Sequence, residues 1–140
     1  MTQVFFYHGA ADKLSAACSL LGKTSLQKKN ILVFADEKTV LDTVDRLLWT
    51  QSALSFYPHC RADSPMASET PVQLTQNLSK VSQTERLMNL GKTIPPGFEQ
   101  FTSLIEVVGQ EESDRLAARD RVKHYKECGC EVRYFDLSER

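Results

Sequence analysis

Ile31-Leu32-Val33-Phe34-Ala35 is an unbroken apolar run set between Lys29-Asn30 and Asp36. Side chains alternate between the two faces of a strand, so a strand with no polar position is buried on both faces. That is the situation of a strand inside a parallel sheet covered by helices on each side. Asp36 stands where a helix N-cap is needed, and beyond it Val40, Leu41, Val44, Leu47 and Leu48 fall on one helical stripe. The run therefore reads as the strand of a βα unit.

The pattern repeats on both sides. Upstream, Gln3 to Tyr7 is β-prone, and Asp12 offers a cap to a helix carrying Leu14, Ala17, Cys18 and Leu21 on one face. Downstream, the segment from Trp49 to Thr70 lacks periodicity and reads as a long loop, a feature usually reserved for function or mobility. Short strands are expected at Val72-Gln73-Leu74 and Glu85 to Leu90, and a break at Pro95-Pro96-Gly97. A further strand is expected at Leu104 to Val108. Ser113 is then in position to cap a helix that runs to about Cys128, with Gly129 as its stop. Glu131 to Asp136 reads as a final edge strand. Alternating strands and helices predict an α/β sandwich with a largely parallel sheet flanked by helices, built as one domain over residues 1–140.

Composition narrows the function classes. With 17 Lys+Arg against 18 Asp+Glu, the formal net charge is −1, which argues against direct DNA binding, because such domains usually carry a basic excess. No apolar run approaches the roughly 20 residues of a membrane span, and the N-terminal stretch does not resemble a secretion signal. A cytoplasmic protein is expected. Cys18, Cys60, Cys128 and Cys130 lack framework spacing and read as free thiols of a reducing compartment.

Several motifs suggest chemistry and fail on inspection. Gly22-Lys23-Thr24 and Gly91-Lys92-Thr93 look like the end of a phosphate-binding loop, but the glycine required five residues earlier is Ala17 in one case and Arg86 in the other. The first strand-to-helix connection, Tyr7-His8-Gly9-Ala10-Ala11-Asp12, has one glycine where a dinucleotide fold needs three. His59 beside Cys60 has no evident orienting group, and neighbours in sequence generally point apart. His59, Cys60, Cys128 and Cys130 form a metal set only if the fold gathers them. No catalytic residue, cofactor or metal is assigned, and a nucleotide-dependent or hydrolytic enzyme would rest on fold analogy alone.

The helix after Ser113 is more informative. At 100° per residue, Arg115, Arg119, Lys123 and Lys126 fall within an arc of roughly 80°. Val122, Ala118 and Tyr125 border it. A row of cations beside an apolar strip is either a solvated face paired with surface acids or a groove for a peptide that is both acidic and apolar. Trp49, Phe56 and Tyr57 form a second group, three aromatics close together, suited to the core or to an interface.

Leu41-Asp42 through Leu48-Trp49, then Ser55-Phe56-Tyr57-Pro58-His59 and Pro71-Val72, together resemble the chi subunit of the bacterial DNA polymerase III holoenzyme. So do Glu106-Val107-Val108 and the stretch from Leu116 to Lys126 followed by Gly129. The resemblance lies in order, spacing and length. It implies a Rossmann-like three-layer fold and a non-enzymatic accessory subunit. Chi subunits pair with psi, which tethers them to the clamp loader, and bind the acidic, Phe-ended C-terminal tail of single-stranded-DNA-binding protein. By that resemblance Trp49, Phe56 and Tyr57 belong to the psi-facing surface, where a replication-repair helicase can compete. Arg115, Arg119, Val122, Lys123, Tyr125 and Lys126 belong to the tail site, with Val122 at a position where a family member carries tyrosine.

Overall fold

The computed structural model describes residues 2–26, 31–50, 59–61, 72–76, 78 and 85–137. Seven strands, β1 (Gln3–Ala10), β2 (Ile31–Phe34), β3 (His59–Arg61), β4 (Val72–Thr75), β5 (Arg86–Asn89), β6 (Ser103–Gly109) and β7 (Glu131–Asp136), make one sheet. Three α-helices accompany them among the described residues: α1 (Lys13–Leu26), α2 (Lys38–Thr50) and α3 (Glu112–Glu127). The strand order is β3-β4-β2-β5-β6-β1-β7, and every pair is parallel. It departs from the 3-2-1-4-5-6 order of a dinucleotide fold: β5 and β6 lie between β1 and β2, and the β6–α3–β7 crossover passes β1 to reach the edge.

The double burial read from the Ile31 run is present: all four residues of β2 are buried. Ile31 and Val33 join Met88, Ile105 and Val107 in a core packed by Ala17, Cys18 and Leu21 of α1 and Leu41 and Val44 of α2. Leu32 and Phe34 face the other way, into a core with Leu87, Leu104, Phe98 and Tyr125 of α3. Two layers of helix on one sheet follow from this alternation. Among the described residues no helix is long and apolar enough to cross a membrane.

Four local expectations are corrected. The segment from Trp49 to Thr70 is not all loop, because α2 continues through Thr50 and His59–Arg61 pairs with β4 as the edge strand β3. Backbone pairing supplies this short strand, which carries no apolar alternation. β1 runs three residues beyond Tyr7, crossing a register shift against β6 where Gly9 takes φ 76°. Such a bulge inserts a residue and re-aims its neighbours. Helix α3 starts at Glu112 with Glu111 in the cap position. Ser113 is therefore already inside the first turn and does not cap it. Helix α2 likewise begins at Lys38, leaving Asp36 one residue too early to serve as its cap. Asp12 does cap α1: its Oδ1 accepts the Ser15 N–H at 3.1 Å.

Candidate functional site

Helix α3 is held against the sheet at three points. At its start, buried Asp114 accepts the Gly109 N–H at 2.8 Å through Oδ2 and the Lys13 ammonium at 3.1 Å through Oδ1. At its end, Gly129 with φ 83° lets the chain reverse. The Cys130 N–H donates to Tyr125 O and the Gly129 N–H to Lys126 O, both at 3.0 Å, which is the Schellman arrangement that satisfies the last carbonyls. In the middle, Arg121 donates from Nε and Nη2 to the two oxygens of Glu106, each at 3.1 Å.

That pair is the centre of a buried network. Tyr125 donates its hydroxyl to Glu106 Oε2, and Asn89 Nδ2 donates to the same oxygen at 2.9 Å. Arg121 Nη1 reaches Lys92 O at 3.0 Å, while Asn89 donates to Thr93 O and accepts the Gly91 N–H. The Gly91-Lys92-Thr93 turn thus serves as a partner of core side chains. Burial first, and then the neighbouring Glu106 charge, push the Tyr125 hydroxyl well above the ordinary tyrosine range.

With the helix fixed in this rotation, Arg115, Ala118, Arg119 and Val122 line one side of a cavity of about 330 Å³. Phe6 and His8 of β1, Val108 of β6 and Tyr134 of β7 complete it. Phe6 and Tyr134 are register partners in adjacent parallel strands and meet edge to face, 5.7 Å between centroids. Phe6, Val108, Ala118 and Val122 are themselves one packed apolar cluster. The cavity therefore has an apolar floor, an aromatic side and two guanidinium groups on its helical wall. Arg115, Arg119 and Lys123 are exposed, and among the described residues no ion pair or hydrogen bond engages their side chains.

The expected tail-site residues separate into three groups. Arg115, Arg119 and Val122 come together on the cavity. Lys123 and Lys126 lie exposed along the same helix, with Lys126 Nζ 5.4 Å from the Tyr134 ring centroid. Tyr125 does not join them: its side chain is fully buried, packed edge to face on Phe98 at 5.0 Å, with its hydroxyl committed to Glu106. It is a core residue because its helical azimuth points into the sheet. Of the aromatic group, Trp49 falls in the last turn of α2, and its side chain, with Phe56 and Tyr57, lies outside the described residues.

Phe6, His8, Val108 and Tyr134 are the cavity residues that the sequence reading missed. Phe6 and His8 are two apart in β1, so they share a face, but nothing in the sequence pairs β1 with β7. Arg121 carried a signal of its own. It sits on the apolar arc of α3, as Glu106 sits in an otherwise apolar strand, and a charge in each of two buried surfaces calls for an opposite partner.

The chain is similar to known proteins over nearly all of this architecture. The sequence model of the family described as DNA polymerase III chi subunit, HolC, matches residues 1–133. The DNA polymerase III subunit chi of Pseudomonas aeruginosa is 30% identical over 133 residues, covering 92% of both chains. That of Escherichia coli is 26% identical over 123 residues, covering 84% of each. That of Haemophilus influenzae is 23% identical over 111 residues, 79% of this chain and 77% of its own. A family match running from the first strand into the last, taking in all three helices and six of the seven strands entire, places this chain in the DNA polymerase III chi subunit family.

Proposed function

We propose that this chain acts in the replicase without catalysis of its own, by holding the acidic, Phe-ended C-terminal tail of single-stranded-DNA-binding protein on helix α3. The carrying observation is the cavity with an apolar floor and, on its wall, Arg115 and Arg119, which have no ion-pair or hydrogen-bond partner among the described residues. A peptide terminus brings a carboxylate and a side chain together, and these two surfaces answer both. Guanidinium groups bind carboxylates through charge-assisted, often bidentate hydrogen bonds, and Val122, Ala118 and Phe6 accept apolar surface. Lys123 and Lys126 extend positive charge along the helix for the acidic residues upstream. The protein thereby contacts coated lagging-strand DNA through its partner, in keeping with a net charge of −1.

The second surface, with Trp49, Phe56 and Tyr57, pairs with the psi subunit and so tethers the chain to the clamp loader in the cytoplasm. A repair helicase competes for it. The support here is family membership. Retention of psi through co-purification of a Phe56→Ala variant would move that interface elsewhere.

Isothermal titration with a tail peptide tests the first assignment. Binding is expected in the micromolar range, roughly −8 kcal/mol, weakening as salt rises. Arg119→Ala, or amidation of the peptide's terminal carboxylate, should remove most of it. Unchanged binding by Arg119→Ala rejects the site.

A further inference from the structure

Tyr134 is 51% exposed although the cavity beside it is apolar. It stands on β7, the outermost strand, whose pairing is with β1. Its ring is fixed from two directions, edge to face on Phe6 below and with Lys126 Nζ over its face. Across the cavity, α3 presents only Ala118 and Val122 as apolar side chains. Phe6, the other carbocyclic ring of the cavity, is 8% exposed and belongs to the floor. Tyr134 is thus the carbocyclic ring with substantial surface still open to an occupant, and it opens beside two guanidinium groups.

We propose that Tyr134 is a specificity-determining residue of this cavity, forming the aromatic wall that selects a peptide ending in an aromatic residue. This rests on the reading that the cavity holds an acidic tail. The terminal carboxylate lies at Arg115 and Arg119, and the terminal ring sits between Tyr134 and the Ala118–Val122 surface of α3. Aromatic pairs gain from ring geometry beyond simple area burial, so the wall discriminates a ring from an aliphatic side chain of similar size. The wall comes from the edge strand, because the helix carries valine at the position that would face it.

The test compares three acidic peptides with free carboxyl termini, ending in Phe, Leu or Ala, against the intact protein. Wild type should favour the Phe-ended peptide. Tyr134→Ala should weaken that peptide about tenfold, a change of about 1.4 kcal/mol, while leaving the Ala-ended peptide nearly unaffected. Tyr134→Leu, which keeps apolar volume and removes the ring, should erase the preference for Phe over Leu, and Tyr134→Phe should restore it. Circular dichroism checks that each variant is folded. If Arg119→Ala weakens binding but Tyr134→Ala and Tyr134→Leu keep the wild-type preference, the aromatic wall is refuted and the tail site stands. If wild type binds none of the peptides, the tail site itself falls, and the wall with it.

Discussion

Arg121 and Glu106 are joined through both carboxylate oxygens, with side-chain exposures of 2% and 0%. The pair ties the middle of α3 to the centre of β6, and through Glu106 it also engages Tyr125 and Asn89. Because the two bonds run from a planar fork to a planar carboxylate, they fix the rotation of the helix as well as its distance. Arg115, Arg119 and Val122 acquire their positions from that rotation.

Glu106→Ala should therefore be among the most damaging single changes. It leaves a guanidinium buried without its partner, at a cost of about 3–5 kcal/mol. Urea unfolding monitored by circular dichroism gives the value. Replacing both partners, Glu106→Leu with Arg121→Met, should cost less than the single change, because no charge is then stranded. A loss below about 1 kcal/mol for Glu106→Ala would contradict this role, since buried charges do not lose partners at so small a cost.

Tyr125→Phe removes one hydroxyl from that network and leaves the ring on Phe98. A stability loss of about 1.5–3 kcal/mol is expected for a bond to a charged acceptor. Tail-peptide affinity should be unchanged in the folded variant, because no Tyr125 surface reaches the cavity. Titration of Tyr125→Phe beside Arg119→Ala separates the two roles, and a large affinity loss in Tyr125→Phe alone would reverse them.

Gly129→Ala tests the end of the helix. At φ 83° an added Cβ crowds the following carbonyl, costing about 1–2 kcal/mol. The melting midpoint should fall by roughly 4 °C per kcal/mol. An unchanged midpoint would mean that the reversal tolerates a side chain.

Cys18 gives a pH dependence. Burial, and secondarily the charge of Asp12, push its thiol up to about 11 from an ordinary 9.0. The folded state therefore holds its proton through a range in which the unfolded chain has lost it. The contribution to stability is complete below pH 9 and declines as pH rises from 9 towards 11. Cys18→Ala lowers stability overall through the lost packing but should flatten that alkaline decline. At pH 8 a thiol reagent should label exposed Cys128 readily and Cys18 only on unfolding. Equal labelling rates would show that Cys18 is not sequestered.

Much of the fold was legible because it rests on local periodicity. The Ile31 run announced a doubly buried strand, and β2 is one. The spacing of Leu41 and Val44 placed both on the inner face of α2, and Gly129 marked the end of α3. Two of the errors share a cause: they concern bonds between segments. Asp114, not Ser113, engages the chain at the start of α3, because its carboxylate is recruited by Gly109 and Lys13, one neighbouring in sequence and the other remote. β3 exists because β4 pairs with it.

A parallel α/β sheet and a helix whose cations share one stripe follow from the order of residues alone, because each depends on a repeat within one segment. Which residues stand opposite that stripe is set by the assembled sheet. Parallel strands are joined through crossovers, so their order in the sheet is free of their order in the chain, and the placement of β7 beside β1 brings Tyr134 to Phe6. The same assembly sent Tyr125 inward and left Val122 at the cavity, because the azimuth of α3 is set by Glu106 on a strand that no helical repeat can specify.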